Sequence, residues 1–194
     1  MEEIEVLYKD LSKWDKFAEF KQLCFSKCER HHGAVYLRAL WLNDIETLNE
    51  FERFGNYLYE IMLNKRTYDQ MCSIGYTSIE FDDNNWIIEP KFEPLETLSF
   101  EVKSKYFRNK IDVCQLINNK WIIGISFNSN NSGCGSGLGI WNDVFNTKQE
   151  ALISGINDLI KWHKDTNEAT SNLIVKLAIE KLNELNKTGQ LTLF

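Results

Sequence analysis

Cys24, Cys28 and the pair His31 and His32 stand at i, i+4 and i+7 or i+8. That spacing lines one face of a helix end with the sulfur and nitrogen ligands that Zn²⁺ accepts. A structural zinc site takes four ligands, and no Cys-x-x-Cys pair accompanies this one, so Cys72, Cys114 or Cys134 would have to complete it from a distance. The expectation is therefore two core thiols beside an exposed His pair, with no metal and no cofactor. Residues 133–139, Gly-Cys-Gly-Ser-Gly-Leu-Gly, satisfy neither Gly-x-Gly-x-x-Gly nor the Gly-Lys-Ser/Thr ending of a phosphate cradle. They also lack the Gly-x-nucleophile-x-Gly frame around Cys134 or Ser136, and read as a flexible connection between two strands. His163 could serve Cys134 as a base, but it falls near the apolar stripe of its own helix and is expected half-buried. Asp82 and Asp83, the closest pair of carboxylates, suit a turn better than a metal.

Binding chemistry is better represented. Lys103, Lys105, Arg108 and Lys110 interleave with Tyr106 and Phe107, a combination able to follow a phosphate backbone and stack a base. Lysines on an edge strand also keep sheets from associating, which is the structural alternative. The string Gln190-Leu191-Thr192-Leu193-Phe194 resembles the bacterial sliding-clamp binding pentapeptide, Gln-Leu-Ser/Asp-Leu-Phe, and departs from it only at Thr192. The resemblance implies a partner and no reaction: Leu191, Leu193 and Phe194 would enter an apolar pocket while the Gln190 amide makes oriented hydrogen bonds. An apolar strand folded back on the protein is the alternative.

Composition narrows the classes. The 194 residues are 43% apolar and include 12 Phe, 7 Tyr and 6 Trp, enough to build a core without disulfides, and five scattered cysteines fit reduced thiols. No run of 18 apolar residues exists and the opening MEEIEVLYKD has no apolar core of a signal, so a cytoplasmic protein without a membrane span is expected. Net charge is -6, with 12 acids against 4 bases in residues 41–100 and 5 bases against 2 acids in 101–125. The acidic block, with Glu46, Glu50 and Glu52 at its start, is either a solvated face or a surface aimed at a basic groove of another protein.

These residues need elements to hold them. Trp14, Phe17, Phe20, Leu23, Cys24 and Cys28 recur at helical spacing from Ser12, with Gly33 as the expected stop. A short helical piece follows, and Asp44 caps a longer stretch running from Ile45 to Met62. YTSIEF and WIIEP then read as strands about an Asp-Asp-Asn-Asn turn, Pro90 and Pro94 punctuate the chain, and KIDVCQLI with KWIIGISF flank Asn118-Asn119 as a hairpin. After the glycine-rich loop, IWNDVF reads as a third strand. Thr147 and Glu150 form a capping box ahead of one helix, and a last helix ends at Gly189.

The fold expected is α+β, one compact domain overall: a helical N-terminal region in 1–73, a largely antiparallel sheet of hairpins with its capping helix in 74–165, a C-terminal helix in 166–189, and the tail 190–194. Without a nucleophile and base, a metal cage or a cofactor loop, the sequence points to a non-enzymatic accessory protein that binds a nucleic-acid-handling partner such as a defence nuclease. In outline it resembles small phage or mobile-element proteins that counter host defence, anti-CRISPR proteins among them. The alternative is a DNA-replication or DNA-processing factor, a nucleic-acid-processing enzyme included, recruited to the sliding clamp.

Overall fold

The computed structural model describes residues 7–23, 26–27, 29–102, 109–129, 132–166 and 169–191. Two compact units emerge: Met1–Ser73 with Thr77–Glu89, and Ile74–Tyr76 with Pro90–Phe194. The architecture is α+β, with helices first, an antiparallel sheet in the middle and two long helices last.

In the first unit Ser12 caps α1 (Lys13–Gln22), its Oγ accepting the Asp15 N–H at 3.3 Å. The helix expected to run on to Gly33 stops at Leu23, which turns extended, and Gly33 lies buried inside α2 (Arg30–Leu42). The break folds α1 back so that Phe20 stacks on Tyr36, centroids 6.4 Å apart, a contact one continuous helix would forbid. Asn43, at φ 53, ends α2. Asp44 caps α3 (Ile45–Glu52) through the Thr47 N–H, as its position indicates. The stretch from Ile45 to Met62 is two helices instead of one, because the Glu60 carboxylate accepts the N–H groups of Asn56 and Tyr57 and starts α4 (Leu58–Ser73) afresh.

Tyr8, Tyr36, Leu40, Phe51, Ile61 and Met62 form the core of this unit. A buried polar chain threads it: Lys16 Nζ meets Glu52 Oε1 at 2.7 Å, the Tyr36 hydroxyl donates to the same oxygen at 2.7 Å, and the Tyr8 hydroxyl donates to the Lys16 carbonyl at 3.3 Å. Residues 77–89 make one bridge, Phe81 with Ile87, in place of the two expected strands. Their turn chemistry is as anticipated, with Asp82 Oδ1 accepting the N–H groups of Asn84 and Trp86 and Asn85 at φ 63. The buried Asn64 amide holds this miniature hairpin, accepting from Ile87 N–H at 3.1 Å and donating to the Asn85 and Phe54 carbonyls.

Burial raises both Tyr8 and Tyr36 far above the ordinary tyrosine value, Tyr36 further because its hydroxyl also interacts with that of Tyr8 and donates to Glu52. Unfolded, each would ionise near 10.0. Their contribution to stability is therefore complete below about pH 10 and falls as pH rises above it, since the unfolded chain releases protons the native unit keeps. A urea midpoint that falls steadily between pH 9 and pH 11, more steeply than that of Tyr36→Phe, is the expected result; parallel curves would contradict it.

The second unit is a sheet in the order β1 (Glu96–Phe100), β2 (Asn109–Gln115), β3 (Trp121–Asn128), β4 (Gly133–Ser136), with β5 (Val144–Phe145) also on β3. The β2–β3 hairpin turns where the two asparagines placed it, with Asn119 at φ 62. The glycine-rich stretch read as a loop is instead β4, Cys134 opposite Phe127 and Gly135 opposite Ser126. Of IWNDVF only Val144 and Phe145 are strand. β4 and β5 share one edge of β3, and Gly124 lies between them: a Cβ there would stand 2.9 Å from the Leu138 nitrogen, so only glycine lets the backbone of the connection approach.

The Thr147 capping box forms as expected, with Thr147 Oγ1 accepting Glu150 N–H at 3.1 Å and Glu150 Oε2 accepting Thr147 N–H at 3.2 Å. It opens α5 (Lys148–Thr166), which lays Gly155 directly on Ile111 and Ile123. α6 (Ala169–Leu191) packs on α5 and runs on through Gly189, where the sequence had suggested a stop. Ile111, Val113, Phe127, Ile156, Leu159 and Ile174 are at the centre of the core.

Candidate interaction site

The most exposed aromatic surface of the first unit is built by α1 and α2. Trp14 is 71% exposed and Trp41 67%. Phe17 bridges them, its centroid 5.9 Å from Trp14 in a tilted pair and 6.1 Å from Trp41 edge-on. With Phe20 and Leu37 they line an open groove of about 510 Å³. Lys13 fixes the far wall, its Nζ donating to the Trp41 carbonyl at 3.0 Å and to Asn43 Oδ1 at 2.8 Å. Sequence periodicity assigned Trp14 to the buried stripe of its helix, and the structure reverses that. Phe17 and Phe20 are the aromatic residues of α1 that pack on the Tyr36 and Phe51 core, and Trp14 stands at the surface against Phe17, on the groove that Trp41 also lines. Exposed indoles around an apolar groove, with no charged pair inside it, suit a protein or peptide partner.

The residues expected to carry chemistry fall elsewhere. Cys24 and Cys28 lie outside the described residues; His31 is exposed and stacks edge-on against His32 at 5.7 Å. His32 Nε2 pairs with Asp69 Oδ2 at 2.9 Å, and Lys65 Nζ meets both Asp69 oxygens at 2.6 and 2.7 Å. Among the described residues no group of three or more His, Cys, Asp or Glu is placed to hold a metal ion. Cys134 is exposed on β4, and desolvation raises its thiol, the reverse of what a nucleophile requires. His163 is buried outright, deeper than expected, with Nε2 against Asn109 Oδ1 at 2.9 Å and Nδ1 against Ser171 Oγ at 3.0 Å. Both ring nitrogens are engaged in tying α5 to β2 and α6, so the histidine acts as a structural clamp.

The three acids grouped as one surface have three different settings. Glu46 is exposed, Glu50 reaches Lys65 at 3.2 Å, and Glu52 is turned inward to Lys16. Asp44 and Glu60 cap helices, Asp69 and Asp82 are bound as described, and Glu96 pairs with Lys148. Much of the acidic block is therefore engaged in local structure. Of the basic strip, Lys103, Lys105, Tyr106, Phe107 and Arg108 lie outside the described residues; Lys110 is described and pairs with Asp112 at 2.7 Å. Burial opposes the charge on Asp112, yet hydrogen bonds from Lys110 and Thr97 hold its carboxyl below the usual range. Gln190 and Leu191 continue the backbone of α6, and Thr192, Leu193 and Phe194 lie outside the described residues.

Comparison with family models, with curated proteins and with solved structures finds no match. No helix among the described residues is long and apolar enough to cross a membrane.

Proposed function

We propose that this chain is a non-enzymatic accessory protein of a phage or mobile element that binds nucleic-acid-handling proteins and docks on the bacterial sliding clamp through Gln190, Leu191, Leu193 and Phe194. The observation that carries the reading is the Gln-Leu-Thr-Leu-Phe string, four of whose five positions match the clamp-binding pattern. The open aromatic groove of Trp14, Phe17 and Trp41 supports a second contact to protein, such as a defence nuclease. The test is a titration of purified bacterial clamp into the protein by calorimetry. Saturation at one chain per clamp site, with competition by a free Gln-Leu-Ser-Leu-Phe peptide, is expected. Absence of heat, or binding that the peptide leaves untouched, would sink the clamp reading. For the second partner, inhibition of a nuclease that saturates near equimolar protein supports stoichiometric binding; inhibition at far lower ratios favours the recruited enzyme instead. Charge reversal in that assay belongs at Glu46, because Glu50 and Glu52 hold buried lysines.

Docking requires the pentapeptide to be extended, whereas α6 carries its first two residues in helical backbone. Gly189 makes that last turn cheap to unwind, since glycine costs a helix about 1 kcal/mol relative to alanine. Gly189→Ala is therefore expected to weaken clamp binding about fivefold, with a urea midpoint that holds or rises slightly, because the same turn is helical in the native chain. Equal or tighter binding by this variant would show that the turn does not unwind on docking.

A further inference from the structure

In the second unit, β1 is the terminal strand of the sheet, and among the described residues its backbone pairs on one side only, with β2. Its other side is a row of main-chain donors and acceptors about 17 Å long, by the rise of an antiparallel strand. Beside that edge, between β1 and α6, runs a groove of about 640 Å³, with Leu98, Phe100 and Leu177 among its apolar lining. Glu101 and Glu180 stand at its walls, and Lys181, the one lysine among its described lining residues, already bonds Glu184 at 3.1 Å. An unpaired strand edge next to a helix-walled groove is the arrangement that accepts an added strand: main-chain hydrogen bonds supply affinity, and every second side chain of the ligand enters the groove.

We propose that the β1–α6 groove binds an extended basic peptide, apolar at alternate positions and carrying Lys or Arg between them, as a further strand on β1. Charge selects this occupant. Among the described residues, the groove walls bring three carboxylates against a single ammonium that is already paired, so a cationic strand gains and an anionic one is repelled. A second copy of the chain is disfavoured on the same ground, because pairing through its β1 would bring its own Glu101, the residue after that strand, toward these acids. The groove requires nothing of the clamp-binding tail, so the two readings stand or fall apart.

The probe is a fluorescein-labelled hexapeptide, Lys-Val-Lys-Val-Arg-Val, followed by anisotropy on the full chain. One-to-one saturable binding is expected, about tenfold weaker for the double variant Glu180→Gln/Glu184→Gln and weaker again in added salt. Peptides N-methylated at alternate residues, prepared in both registers, should lose binding in the one register whose N–H groups face β1. The Glu-Val-Glu-Val-Glu-Val counterpart should not bind. Comparable binding of the acidic peptide, full binding of both methylated peptides, or no response to the double variant would each overturn the proposal. So would binding that appears only after residues 191–194 are removed, since the chain's own tail would then be the occupant. The exposed double substitution should leave the urea midpoint in place; circular dichroism on the variant confirms that lost affinity is not lost folding.

Discussion

Replacing Leu193 and Phe194 together by alanine is expected to abolish measurable binding to the sliding clamp while leaving the fold intact. Each apolar anchor at the centre of such a contact is worth about 2 kcal/mol or more, and every 1.4 kcal/mol is tenfold in affinity. The pair therefore accounts for about a thousandfold, enough to move a micromolar complex out of range. Stability should not follow, because the described side chains of α6 that pack against the sheet and α5 lie upstream, with Leu182 and Leu185 the last of those described. Calorimetry with purified clamp and a urea melt of the same preparation separate the two effects. Unchanged affinity would end the tail reading, and a large drop in the urea midpoint would show that Leu193 and Phe194 pack on the protein instead.

The largest expected loss of stability comes from Lys16→Met. Lys16 is only 7% exposed, and its ammonium is the cation set against Glu52. Removing one partner of a buried pair leaves the other charge in the core at a cost of about 3–5 kcal/mol, whereas removing both can be nearly neutral. Methionine keeps the length of the lysine stem but gives up the ammonium that stands 5.6 Å from the Tyr8 ring centroid, which adds to the loss. The double variant Lys16→Met/Glu52→Gln keeps an acceptor for the Tyr36 hydroxyl and should recover most of the loss. Denaturant melts of the wild type, the single and the double variant test this directly; a single variant within about 0.5 kcal/mol of wild type, the usual range of surface changes, would show that the pair is solvated.

Much of the fold was legible because local chemistry and tertiary structure agree. Asp44, Thr147 with Glu150, and Asn118-Asn119 act over three or four residues, and each does in the structure what its spacing implies. The errors came where a distant partner decides. Periodicity fused α1 to Gly33 and α3 to α4, since a helical repeat records which residues are apolar and not where the chain doubles back to let Phe20 meet Tyr36. The glycines of β4 read as a loop because a strand without side chains carries no alternation; its pairing with β3 comes from backbone alone. The interaction site was hidden for a related reason. Trp14 and Trp41 look like core residues by type, and periodicity does not tell which face of α1 and α2 the core around Tyr36 and Phe51 takes.

The first unit is assembled from two stretches of chain, with Ile74–Tyr76 passing into the second unit between them. Asn64 depends on the later stretch, for its amide is satisfied by Ile87 and Asn85 as well as Phe54. On a ribosome, then, helices α1 to α4 emerge with a buried amide still lacking two of its three partners, and the unit closes only after residues 74–89 have been added. At ~5–20 residues per second that interval is about 1–3 s, long enough for a chaperone or protease to meet the half-built unit. An expression fragment ended at Ser73 would be held permanently at that stage, and a boundary at Pro90 is where a cloner should cut.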